Sequence, residues 1–312
     1  MNTFARLLGS FCAAFAAMAI HGTELTSAPA VVEPLFATPT RLDRTGRILA
    51  PVMINGQGPF RLIVDTGASH STLSMELAQS LGLVPSDDYA LMLNGVTGTA
   101  RVPGVLIDRL QAGDLYVKRT RMPVLQSTLM SGADGVLGLA GLDASHVLVD
   151  FRNDRVVIGR KGQESELHRA AIIPGSRMRD GLLAIDARIL RVRAIAIIDT
   201  GAERSLGNLA LRDAVRKQLA EDATLTSAEV TGVTMDVVAG EAGVALRITL
   251  GEGIKIDDIP VTYGNFHIFK VWNLEKRPAL LIGMDVLGLV DAFEINFPKA
   301  EMRIATRNMR ND

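Results

Sequence analysis

Cysteine is almost missing from this 312-residue chain: the single one, Cys12, falls in an apolar segment near the N-terminus. Beyond that segment there is no thiol, which removes disulfides, thiolate metal sites and a cysteine nucleophile together. Aromatic residues are scarce, at 4%, which argues against a stacking platform for bases or sugar rings. An excess of either charge is missing too. The 33 Lys and Arg nearly balance 34 Asp and Glu, giving a formal net charge of −1 without a long run of one sign. A basic face for nucleic acid is therefore not expected. The five histidines, His21, His70, His146, His168 and His267, lack the spacing of a ligand set, so no metal is expected. His70 is read as a surface or packing residue. A Gly-x-Ser-x-Gly elbow and a phosphate-cradling Gly-Lys-Ser/Thr motif are both absent, and no cofactor is expected.

A membrane-length apolar run is also wanting. Leu7 to Ile20 is apolar and Ala-rich behind Arg6, and Ala17-Met18-Ala19 makes a small-x-small cleavage site, with Ser27-Ala28-Pro29-Ala30 as a later one. The run is shorter than the ~20 residues a spanning helix needs. Residues 1–30 are thus expected to be a signal peptide and lead-in, and the protein to be secreted or periplasmic with no span after removal. An uncleaved anchor is the alternative.

What the chain does have is a stretch written twice. Leu62-Ile63-Val64-Asp65-Thr66-Gly67-Ala68 is followed by Ser71, and Ala196-Ile197-Ile198-Asp199-Thr200-Gly201-Ala202 by Ser205. Later landmarks repeat in the same order. Val136-Leu137-Gly138 is answered by Leu281-Ile282-Gly283, and a closing hairpin at Val147 to Gly159 by one at Phe293 to Ile304. The offset is 134 at the Asp (199 − 65) and 145 at the Gly (283 − 138), so the second copy carries a modest insertion between them. Two copies suit a pseudo-two-fold pair. Strand-like alternation around Asn55-Gly56 and other turn dipeptides predicts mostly β-structure. Short helices are expected at Ser74 to Leu81 and Leu209 to Leu219, and strands at Leu182 to Val192 and Ala194 to Ile198. The expected organisation is an N-terminal lobe over 40–160, a linker at 161–172 and a C-terminal lobe over 173–306. Gly-punctuated segments give flap candidates at Val96, Thr97 and Gly98, matched by sequence to Val230, Thr231 and Gly232.

Two Asp residues brought within ~3 Å cannot both ionise, so such a pair holds one proton over a wide pH range. One member can then take a proton from water while the other gives one to a carbonyl oxygen, with no covalent intermediate. Gly67 and Gly201 are read as sharp turns that bring amides to the carboxylates. Thr66 and Thr200 are hydroxyls in a buried turn that can each bond the opposite lobe.

These motifs resemble the retropepsin-like and pepsin-like aspartic proteases, with both lobes in one polypeptide; the resemblance covers roughly residues 45 to 305. It implies an all-β acid-protease fold with short helices: two closed β lobes related by a pseudo-two-fold axis, and an active-site cleft between them under one or two hairpin flaps. It also implies that Asp65 and Asp199 are the catalytic pair, supported by Thr66, Gly67, Ala68, Thr200, Gly201 and Ala202, with Gly138 and Gly283 as structural supports. A polypeptide substrate and a monomer follow from the same resemblance. No flap tyrosine is found at Asn94 to Thr99, and Tyr89 falls too early. Together with the shorter lobes and the lack of disulfides, this brings the chain nearer a fused retropepsin than a digestive pepsin. Ala68 and Ala202 stand where pepsins commonly have Ser or Thr, and cannot donate a side-chain hydrogen bond to a catalytic carboxylate. An optimum near pH ~4.5–6.5 is expected, less acid than for digestive pepsins. The rival reading is a peptide-binding protein on the same fold that has weak turnover or none. A two-carboxylate glycosidase fits poorly with so few aromatics.

Overall fold

The computed structural model describes residues 7–10, 38–39, 41–42, 46–126, 130, 132–139, 145–160, 164–218, 225–243, 246–251 and 253–306. Of the expected leader, only the short strand β1 (Leu7–Ser10) is described; it pairs in parallel with residues 228–231, and the rest lies outside the described residues. Among the described residues no helix is long and apolar enough to cross a membrane.

Two short strands, β2 (Thr38–Pro39) and β3 (Arg41–Leu42), lead into the first lobe. That lobe runs β4 (Ile48–Ile54), β5 (Gln57–Val64), β6 (Thr72–Ser74), α1 (Met75–Ser80), β7 (Ser86–Asn94), β8 (Thr99–Ala112), β9 (Leu115–Leu125), β10 (Gly135–Leu137), β11 (Ser145–Asp150) and β12 (Arg155–Arg160). The second lobe runs β13 (Ala171–Arg177), β14 (Leu183–Ile189), β15 (Val192–Ile198), β16 (Leu206–Asn208), α2 (Leu209–Arg216), β17 (Thr226–Thr231), β18 (Val237–Ala242), β19 (Leu246–Leu250) and β20 (Ile254–Ile259). It ends with β21 (Thr262–Gly264), α3 (His267–Val271), β22 (Ala279–Ile282), α4 (Met284–Leu287), β23 (Ala292–Asn296) and β24 (Glu301–Ala305). The architecture is all-β with short helices, in two lobes.

The turn chemistry behaves as the sequence dictates. Asn55 and Gly56 both take positive φ, 50° and 81°, and Ile54 pairs with Gln57 across them, which makes the two-residue turn that matches strand twist. Ser74 caps α1 by accepting from the Leu77 N–H, and Asn208 caps α2 from the Leu211 N–H. One expectation fails. The strand foreseen at Leu182 to Val192 is broken by a turn, because Leu190 adopts φ 54° and Ile189 pairs with Val192. No Gly, Asn or Pro marks that corner, so local propensity gave no warning.

Each lobe closes on itself in the same way. β10 pairs in parallel with β5 and antiparallel with β6, while β22 pairs in parallel with β15 and antiparallel with β16. β5 ends in Leu62, Ile63 and Val64, all at most 1% exposed, so the strand is covered on both faces. The pairing of β4 with β8 closes the first lobe, and that of β14 with β19 has the same role in the second. The extra residues of the second copy enter in three steps. The offset is 134 at the helix caps (208 − 74), 138 at the strand after the flap tip (237 − 99) and 139 at the end of the next strand (264 − 125). The remaining step to 145 falls where α3 stands.

Six strands at one end of the larger sheet, ordered β2-β12-β11-β23-β24-β13, join the lobes. Their centre is the antiparallel pairing of the two closing hairpins, with Val147 opposite Ile295 and Val149 opposite Phe293. All four side chains are fully buried, so the lobes share one apolar core as well as a hydrogen-bond ladder.

Candidate active site

The buried strands β5 and β15 each end on an Asp. The Asp65 N–H donates to the Leu137 carbonyl and the Asp199 N–H to the Ile282 carbonyl, both at 3.0 Å. These bonds fix the two turns to β10 and β22. Asp65 and Asp199 are 1% and 4% exposed, and their carboxyl groups are hydrogen-bonded to each other. Asp65 Oδ1 accepts from the Gly67 N–H at 2.8 Å; Asp199 Oδ1 accepts from the Gly201 and Ala202 N–H groups at 2.9 and 3.1 Å. Burial pushes the Asp199 carboxyl well above the usual range, and the charge of Asp65 and their shared hydrogen bond push it further. The two amides pull the other way and are outweighed.

The two glycines stand in the turns expected of them and bring their amides to the carboxylates, without a positive φ, and they serve a second purpose. A Cβ on Gly67 would lie 2.3–2.6 Å from the Asp199 carboxyl group, and one on Gly201 would lie 2.2–2.5 Å from that of Asp65. Each lobe leaves out a side chain so that the other lobe's acid can fit.

The threonines cross between lobes. Thr66 Oγ1 donates to the Ile198 carbonyl at 2.9 Å and accepts from the Thr200 N–H at 3.1 Å. Thr200 Oγ1 donates to the Val64 carbonyl at 2.6 Å and accepts from the Thr66 N–H at 3.1 Å. Four buried backbone groups are satisfied by two hydroxyls, which ties the turns together rigidly.

Behind the turns sit Gly138 and Gly283. A Cβ on Gly138 would meet the His70 and Ala68 carbonyls, and one on Gly283 the Ala202 and Arg204 carbonyls, at 2.6–2.9 Å. The repeated Ser explains itself here: Ser71 and Ser205 each accept from the following glycine's N–H, Gly138 or Gly283, at 3.1 Å. Asp285 stands in the first turn of α4. It accepts from the Ser205 N–H and Oγ at 2.9 and 2.7 Å, and burial raises its carboxyl.

Two hairpins cover the dyad. The β7–β8 tip carries Val96, Thr97 and Gly98. In the β17–β18 hairpin the matched residues fall elsewhere: Val230 and Thr231 belong to strand β17, and only Gly232 enters the tip at 232–236. The tips meet, with Thr97 Oγ1 and Thr234 Oγ1 3.1 Å apart. A Cβ on Gly95 would strike Val233, and one on Gly98 would strike Asp236. The first tip also leans on α3, where the Ile268 N–H donates to the Val96 carbonyl at 3.3 Å and His267 Nε2 lies 2.7 Å from Thr99 Oγ1.

Beneath the tips is a cavity of about 150 Å³ bordered by both Asp residues. Its walls are mainly apolar: Leu93, Val96, Leu125 and Val136 from the first lobe, Val233, Ile268, Trp272 and Leu281 from the second. His70 lines it too, and burial lowers its pKa. Sequence reasoning favoured a surface or packing place for His70 over a contact with the cleft, and it missed α3 entirely. One signal was available: Phe266-His267-Ile268-Phe269-Lys270-Val271-Trp272 concentrates aromatics, including the only tryptophan, in an aromatic-poor chain.

Residues 50–140 match the family model described as aspartyl protease. That segment holds the first Asp-Thr-Gly turn, the first flap and Gly138. No curated protein matches the chain.

Proposed function

We propose that the chain is an aspartic endopeptidase in which Asp65 and Asp199 activate water against a peptide carbonyl, a reading supported by the match of residues 50–140 to the aspartyl protease model. The observation that carries this is the pair itself: two buried carboxyl groups bonded to each other, braced by crossed threonines, at the edge of a covered cavity. Asp199, raised by burial and by its neighbour's charge, holds the shared proton; Asp65 is the acceptor. Water between them loses a proton to Asp65 as its oxygen attacks the scissile carbonyl carbon, and Asp199 donates its proton to the carbonyl oxygen. Collapse of the tetrahedral diol breaks the C–N bond as Asp65 returns its proton to the departing nitrogen and one diol hydroxyl gives its proton back to Asp199, leaving a carboxylic acid, an amine and the starting dyad. No covalent enzyme intermediate forms.

The substrate lies extended under the two hairpins and pairs with their strand edges, and the apolar walls exclude bulk water. The raised Asp199 supports an optimum near pH ~4.5–6.5, in keeping with alanine at 68 and 202. The leader-like N-terminus supports an exported protein, secreted or periplasmic, and the paired lobes within one chain support activity as a monomer.

The test is cleavage of a mixed peptide library across roughly pH 3–8, with Asp65→Asn and Asp199→Asn as controls and pepstatin as probe. Cleavage is expected from the wild type alone and is blocked by the probe. A wild type that cuts nothing, or variants that cut equally well, would overturn the proposal.

A further inference from the structure

Thr72 lines the cavity beside the dyad and is 4% exposed, and its hydroxyl is buried with no hydrogen-bond partner among the described residues. A buried hydroxyl left unpaired is a standing cost, and packing does not require it here. Thr72 sits opposite Val136 in the β6–β10 ladder; the same register in the second lobe puts Leu206 opposite Leu281. Leu206 is 1% exposed, so the fold accepts an aliphatic side chain at this place. Val136, its ladder partner, is apolar and lines the same cavity.

We infer that Thr72 is a specificity-determining residue, making this cavity select peptides that present a short hydrogen-bonding side chain, such as serine, threonine or asparagine, over apolar isosteres. One staggered step about χ1 carries the hydroxyl to the place the methyl holds and the methyl to that of the Cβ hydrogen, so the hydroxyl can turn to a group entering the cavity. The volume of about 150 Å³ suits a side chain of a few heavy atoms. A hydrogen bond formed in so dry a place discriminates strongly, because an apolar competitor leaves the hydroxyl unpaired. This rests on the endopeptidase reading for its substrate class and on Thr72 for its selectivity.

The experiment has two arms that separate those supports. Cleavage of matched library pairs, Thr against Val and Asn against Leu at each position, is compared for wild type, Thr72→Val and Thr72→Ser. Binding of the same pairs is measured by calorimetry on peptides whose scissile amide is reduced and cannot be cut. At one position the wild type is expected to favour the polar member about tenfold. Thr72→Ser keeps the preference and Thr72→Val abolishes it. Equal ratios for wild type and Thr72→Val in either arm overturn the inference while leaving the enzyme standing. A wild type that shows no polar preference does the same, whatever becomes of the variants. Preference in binding without any cleavage keeps the inference and sinks the enzyme reading, and neither binding nor cleavage sinks both.

Discussion

The two lobes are nearly identical where they hold the acids and differ where they would hold a substrate. On the inner side, each copy supplies an Asp, a glycine that makes room for the other Asp, a threonine crossing to the other lobe, and a Ser gripping a glycine amide. On the outer side the first lobe has continuous strands, β8 and β9, while the second covers the corresponding stretch with β18–β19 and β20–β21. The second lobe has α3, which brings Ile268 and Trp272 to the cavity. Thr72 in one lobe stands for Leu206 in the other. The difference teaches that reciprocity is demanded by the dyad, whose members each sit in a space the opposite lobe keeps clear. No such demand reaches the walls, which are free to diverge.

The comparison is broken most severely at the glycines. Gly67→Ala and Gly201→Ala each drive a methyl into the opposite acid, and peptide cleavage is expected to fall by about a hundredfold or more in both. Steady-state rates on one substrate check this; a large loss in only one variant would show that the lobes are not equivalent at the dyad. Next come the threonines. Thr66→Val and Thr200→Val each strand one buried N–H and one buried carbonyl, and should cost about 2–4 kcal/mol apiece. Chemical denaturation would give two similar losses and a double variant well short of their sum, because the bonds form one network.

Serines sharpen the contrast. Ser71→Ala loses the bond to Gly138, at about 1 kcal/mol, whereas Ser205→Ala also deprives the buried Asp285 of a donor and should cost about 2–3 kcal/mol. Equal losses would mean that Asp285 gives the second lobe no additional brace. The smallest effect concerns pH. Because the folded Asp199 is raised above its unfolded value, the folded state binds more protons and loses stability as pH climbs from about 4 through the raised value. Asp199→Asn removes that titration. Its melting temperature relative to wild type should therefore be higher at pH 7.5 than at pH 4, and a difference constant with pH would count against the raised Asp199.

Most of the inner half of this arrangement was readable from the chain. The apolar run before each Asp, the Ala-x-x-Ser after it, and the later apolar-apolar-Gly are local signals with a fixed order, and a duplication amplifies them. The outer half depends on contacts far apart in sequence. Val230-Thr231-Gly232 looks like Val96-Thr97-Gly98, yet the strand pairing Thr231 with Val237 puts the tip further on, and Thr97 faces Thr234 instead. Leu190 makes a turn with no turn residue. Trp272 reaches the cavity from a helix of only five residues, His267–Val271, too short for periodicity to announce. The second role of the glycines was also out of reach, since what they accommodate is a side chain 132 positions away (199 − 67 and, in reverse, 65 from 201 at 136).

The six strands that join the lobes have a consequence for how the protein is strung together. Their central ladder, β11 against β23, is made by residues 145–150 and 292–296, so cohesion between the lobes does not depend on the covalent link between β12 and β13 alone. Carrying both halves in one chain raises the effective concentration of one for the other. Halves expressed separately and cut between β12 and β13 would have a complementary edge to find each other by, and the reunited pair would rebuild a dyad with one acid from each fragment.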